Sequence, residues 1–185
     1  MRLLIRRMLT AAALVGALAP PTASAEKLGA WDIEETATPL TGATSISAVL
    51  ASAQPLINSI GAPAPASLVL RCRDGQLVAY VSWVQVLSTI SAPFTGQPQT
   101  LVLWRTDQRP ISANYWQVDN AFIAAGMFGT KPAVKFIEKL TGAKQLIVRM
   151  SSSTSTQDAV FDLGDVTTVA ERIGKPCGVT WTRHP

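Results

Sequence analysis

Asp74-Gly75 constrains this chain more than any other pair of residues. A type I′ turn needs positive φ at both central residues, Asp and Gly accept it readily, and this pair lies between two alternating runs. A two-residue loop then fixes the pairing: Arg73 faces Gln76, Cys72 faces Leu77, Leu70 faces Ala79 and Leu68 faces Val81. One face of the resulting hairpin carries Leu68, Leu70, Cys72, Leu77, Ala79, Val81 and Trp83, all apolar. The other carries Val69, Arg71, Arg73, Gln76, Val78, Tyr80 and Ser82. Such a division suits a half-buried antiparallel hairpin with Cys72 inside.

Further strands are expected at Gly29 to Glu34, Ser45 to Ala51, Thr100 to Arg105 and Tyr115 to Val118. Lys144 to Met150 and Gln157 to Leu163 form a second hairpin joined by a Ser/Thr-rich loop. Two stretches change to helical spacing. In one, Thr130 serves as N-cap, Ala133, Phe136, Ile137 and Leu140 share a face, and Gly142 ends the helix. In the other, Asp165 caps and Val166, Val169, Ala170 and Ile173 share a face before Gly174 and Pro176. Ser52 to Ser67 and Ser88 to Gln99 read as long loops. Strands that do not alternate with helices imply a mainly β, α+β fold. Its expected form is an antiparallel sheet or sandwich with two short amphipathic helices packed on one side.

The chain opens like an export signal. Arg2, Arg6 and Arg7 precede the apolar run Met8 to Ala19, and Ala23-Ser24-Ala25 offers small residues for cleavage after Ala25. A helix over that run reaches only about 18 Å, short of the ~30 Å hydrocarbon core, and Pro20-Pro21 interrupts it. The expected organisation is thus a signal peptide over 1–25 and one periplasmic or secreted domain over 26–185, with no membrane span left. No Cys sits at the cleavage point, which disfavours a lipoprotein. All three charges of the leader are arginines, so its removal takes the 16 basic residues to 13 against 12 acidic, a net of +1. That balance lacks the cationic excess expected of a nucleic-acid binder or a polybasic membrane-surface protein.

Cys72 and Cys177 are the two cysteines of the chain. In an oxidising compartment they form one disulfide across 105 positions, worth about 4–5 kcal/mol in the chain-entropy model. Free thiols or a redox pair are the alternatives, but no CxxC spacing or neighbouring base accompanies either residue.

Motifs for chemistry are sparse. His184, the one imidazole, is one residue from the C-terminus, where a catalytic base is poorly held. No HExxH, GxSxG or phosphate-binding glycine run occurs, and no cofactor or metal is expected. A carboxylate pair drawn from acids such as Asp32, Glu34, Glu35, Asp107 and Asp119 would leave no mark in sequence. Trp31, Trp83, Trp104, Trp116 and Trp181 are expected mainly in the core. Candidate interaction residues are Arg71, Arg73 and Tyr80 on the outer hairpin face, with Tyr115 and Trp116 as a second, ligand-contacting candidate.

The order of features resembles the VasI-type accessory proteins of type VI secretion. The resemblance is carried by Trp31-Asp32-Ile33-Glu34-Glu35-Thr36 with Pro39, the Ile46-to-Leu50 strand, Leu68-Val69-Leu70-Arg71-Cys72 and the Tyr80-to-Trp83 strand. It continues through Trp104-Arg105-Thr106-Asp107, Trp116, Phe136-Ile137-Glu138-Lys139-Leu140, Ala159-Val160-Phe161-Asp162-Leu163, Cys177 and Trp181. It implies a periplasmic location and an accessory interaction rather than a reaction. The expected function is therefore a non-enzymatic, exported protein-interaction module with an envelope protein as partner. Small-ligand or glycan binding is the alternative, and a hydrolase with an unmarked carboxylate pair the second.

Overall fold

The computed structural model describes residues 24–37, 42–152 and 155–181. In order these form β1 (Ser24–Leu28), β2 (Trp31–Ala37), β3 (Thr44–Ala51), β4 (Leu56–Ile57), β5 (Pro63–Ala64), β6 (Ser67–Arg73), β7 (Gln76–Ser82) and β8 (Ile90–Ser91). Then follow β9 (Pro98–Thr106), β10 (Ser112–Val118), β11 (Ala124–Met127), α1 (Thr130–Leu140), β12 (Gln145–Ser151), β13 (Thr156–Asp162), α2 (Val166–Gly174) and a 3-10 turn at Lys175–Cys177. One antiparallel sheet runs β1-β2-β3-β6-β7-β11-β10-β9-β12-β13, with β8 alongside the start of β9; β4 and β5 make a separate ribbon.

The β6–β7 hairpin has the register that its turn dictates, from Arg73 opposite Gln76 to Leu68 opposite Val81. Asp74 and Gly75 take φ of 51° and 73°. Side-chain alternation extends this inner face across the sheet, through Ile46, Ala48 and Leu50 on β3 to Val102 and Trp104 on β9 and Leu146 and Val148 on β12, all buried. The two ends of the sheet approach each other. Trp31 Nε1 on β2 donates to Leu163 O just beyond β13 at 2.8 Å, and Ala53 N donates to Val160 O on β13 at 2.7 Å. The sheet therefore bends around its apolar side.

Both helices share the core enclosed on that side. Ala133, Phe136, Ile137 and Leu140 of α1, and Val166, Val169, Ala170 and Ile173 of α2, are buried in one cluster with the inner strand residues. Phe136 meets Trp104 and Trp116 edge-on, with ring centroids 5.3 and 5.2 Å away, the T-shaped geometry that aromatic quadrupoles favour. Asp165 caps α2 by accepting from Thr168 N at 3.1 Å. The cap expected of Thr130 is not formed. Gly129 is the N-cap of α1, and Thr130 Oγ1 instead accepts from Leu77 N at 3.1 Å, which ties the helix to β7.

Cys72 and Cys177 are joined, with Cα atoms 5.8 Å apart. The bond fastens the 3-10 turn after α2 to the buried side of β6.

Several boundaries differ from the sequence reading. Gly29, with φ of 62°, turns between β1 and β2, so the strand expected from Gly29 begins at Trp31. The stretch 52–66 contains the β4–β5 ribbon, and Ser52 Oγ holds it by accepting from Ala66 N at 3.1 Å. The stretch 88–99 contains β8 and the first residues of β9. The leader lies outside the described residues except for Ser24 and Ala25, which begin β1; His184 also lies outside them. Among the described residues no helix is long and apolar enough to cross a membrane.

Candidate functional site

The outer face of the sheet carries a shallow concave surface. Strand alternation places Leu101, Leu103 and Arg105 outward on β9, because Val102 and Trp104 point into the core. Pairing then builds rows across the strands. Leu101 stands opposite Tyr115 of β10. Leu103 stands between Ala113 and Arg149, and Arg149 faces Asp158 of β13. Arg105 faces Ile147.

Two depressions of about 330 and 370 Å³ follow these rows and share Leu103 and Arg149, so they form one groove. Ile111 lies at one end, and Ile90 with Tyr115 at the other. Tyr115 is 56% exposed and Ile111 68%. An apolar floor with few polar groups is a common character of binding surfaces.

One ion pair crosses the groove. Arg149 Nε and Nη2 donate to the two carboxylate oxygens of Asp158 at 2.6 and 2.7 Å. This side-on arrangement fixes both groups. The hydrogen bonds from Arg149 hold the Asp158 carboxyl below its ordinary value, partial desolvation opposes that shift, and the guanidinium charge adds to it. The same bonds raise Arg149. Arg105 forms no ion pair among the described residues, so it stands beside the apolar floor as an unneutralised cation.

The Arg71 group lies on the same outer face, on the other side of β11. Arg71 packs over the Tyr80 ring, 5.7 Å from its centroid, and Tyr80 stacks on Phe128 at 5.6 Å. Arg71 Nε is buried with no hydrogen-bond partner among the described residues. Arg73 lies at the hairpin turn, 3.4 Å from the Asp74 carboxylate. Thus Arg71 and Tyr80 meet as one group, with Arg73 at its edge, and Tyr115 belongs to the separate groove.

Trp116 must be withdrawn from the surface. It is 1% exposed and packs against Trp104 and Phe136. Consecutive strand residues point to opposite faces, so the exposure of Tyr115 requires the burial of Trp116. Three of the five expected acids have partners: Asp32 pairs with Lys27 at 3.0 Å. Asp107 accepts from Lys144 N and Gln145 N, and Asp119 from Ile123 N and Ala124 N. Among the described residues no group of three or more His, Cys, Asp or Glu is placed to hold a metal ion.

Sequence reading missed Leu101, Leu103, Ile111, Ile147 and Arg149. A signal was available in Leu101-Val102-Leu103-Trp104, where an unbroken apolar run replaces the alternation of a strand with one wet face. Comparison of the chain with protein-family models, with curated proteins and with solved structures found no match.

Proposed function

We propose that this protein is an exported, non-catalytic accessory module that binds an envelope protein through the outer face of its sheet. The observation that carries the reading is the groove over β9, β10, β12 and β13, where exposed apolar side chains surround a fixed ion pair and an arginine, Arg105, that has no ion pair among the described residues. Its shape and chemistry suit an extended protein segment that supplies apolar side chains and a carboxylate for Arg105. The resemblance to VasI-type accessory proteins agrees with such a role and motivates type VI secretion as the setting. The leader motif motivates the periplasm.

A photo-crosslinker placed at Leu101 in cells should capture one predominant partner, whose purified form is then titrated against variants. Leu103→Glu and Arg105→Glu should each weaken binding by roughly tenfold or more, with circular dichroism unchanged. Unaltered affinity in both variants would refute the assignment.

A second reading rests on Tyr115, whose ring is exposed at one end of the groove and could stack on a small ligand or a sugar. Saturable binding of a cell-wall fragment, abolished by Tyr115→Ala, would support it over the protein partner.

A further inference from the structure

The strand register gathers several loops at one end of the sheet. Ala51 pairs with Ser67, Ser67 with Ser82, and Ser82 with Ala124. Gln117 pairs with Gln99, and Ser151 with Thr156. The connections over 52–66, 83–97 and 119–123 and the β12–β13 turn therefore leave the sheet on the same side.

This end is almost without charge. The chain has no acidic or basic residue from 36 to 70, nor from 75 to 104. Asp119 is the one charged residue in these connections, and its carboxylate is occupied by two backbone N–H groups. Toward β1, Lys27 and Asp32 neutralise each other.

Apolar side chains project from the same end. Phe94 is 100% exposed and Ile60 86%, with Val86, Ile90, Phe122 and Ile123 also exposed. Isolated apolar residues on a surface need no explanation, but a cluster of them without charges does.

The loops are also tied together by uncharged hydrogen bonds. Gln85 Nε2 and Gln157 Nε2 both donate to Ile57 O, at 2.6 and 2.9 Å. Leu87 N donates to Phe122 O at 2.8 Å, and Trp83 N to Ile123 O at 2.7 Å. Gln117 Nε2 donates to Gln97 Oε1. Several loop backbone groups are thus satisfied by neighbouring loops.

We propose that this uncharged loop end is a lipid-contacting surface that inserts Phe94, Ile60 and their neighbours into the interfacial region of a bilayer. Exposed apolar side chains on separate loops would each need a matching pocket on a protein partner, whereas a fluid interface accepts any arrangement of apolar tips. The absence of charge favours the acyl boundary over an ionic contact, so the attraction does not depend on basic residues or anionic headgroups. Pro55, Pro63, Pro65 and Pro93 restrict the loops and lower the cost of presenting these tips. This surface adjoins the groove, because Ile90 lines both, whereas Phe94 and Ile60 lie outside the groove's lining.

The test is flotation of the mature chain with vesicles of phosphatidylcholine and phosphatidylethanolamine. The wild type should partition onto them, equally at low and high salt. Phe94→Asp and Ile60→Asp should each reduce partition by roughly tenfold, while Lys135→Asp on the exposed face of α1 should leave it unchanged. Phe94→Trp should gain quenching by brominated lipid beyond that of the wild type. Four results would overturn the proposal: no partition, partition that needs anionic lipid and fails in salt, Asp variants that bind like wild type, or a vesicle-free dimer dispersed by Phe94→Asp. The last would make this end a contact between copies.

Discussion

The two ends of the sheet are built on opposite principles. At one, loops free of charge except Asp119 are stitched together by amide and hydroxyl hydrogen bonds and expose phenylalanine and isoleucine. The other has the Arg73-Asp74 turn, Asp107 and Arg109 between β9 and β10, and α1 with its Lys131, Lys135, Glu138 and Lys139. There the apolar residues face inward except Ile111, which lines the groove, and the disulfide ties the last turn to β6. The lesson is a division of labour: the charged end contributes to stability through buried contacts, while the uncharged end leaves apolar area available to another surface.

The largest effect expected from breaking this division is at the disulfide. Cys72→Ser or Cys177→Ser should each lower unfolding free energy by about 2–5 kcal/mol, with the double variant costing little more than either. Denaturant midpoints check this, and full additivity of two large losses would contradict a shared bond. Gly126→Ala comes next. An added Cβ would lie 2.3 Å from Ala79 O where β11 meets β7, so a loss of about 1–3 kcal/mol or more is expected from the same measurement.

Gly75→Val should cost about 1–2 kcal/mol because the hairpin turn holds that residue at a φ of 73°. Space is not the obstacle there, since an added Cβ meets no atom within 4 Å. The Arg149–Asp158 pair should matter least, because both side chains are partly solvated. Its carboxyl value is lowered in the folded state, so its small contribution is present above the unfolded-state value and lost as pH falls through the folded-state value. An acid titration of stability should show that decline in the wild type and lack it in Asp158→Asn.

Much of the charged, helical end was legible in the sequence. Asp74-Gly75 imposed a register, 3.6-residue periodicity marked the buried faces of α1 and α2, and two cysteines permitted one intramolecular pairing. The weaker strands were hidden for physical reasons. Ala124–Met127 reads AAGM and has little β propensity of its own; it is a strand because β7 and β10 pair with it on both sides, and Gly126 permits the close approach. The groove was missed because two of the outward side chains of β9, Leu101 and Leu103, are leucines, so alternation did not separate a wet face from a dry one over that stretch. At the loop end, the long charge-free stretches stand in the sequence, but only the strand pairing brings them to one side.

Hydrogen exchange with and without zwitterionic vesicles tests the division most directly. Added protection is predicted over residues 52–66, 83–97 and 119–123, with α1 and α2 unchanged. Protection confined to the helical end, or none at the loops under conditions where the protein is vesicle-bound, would contradict it.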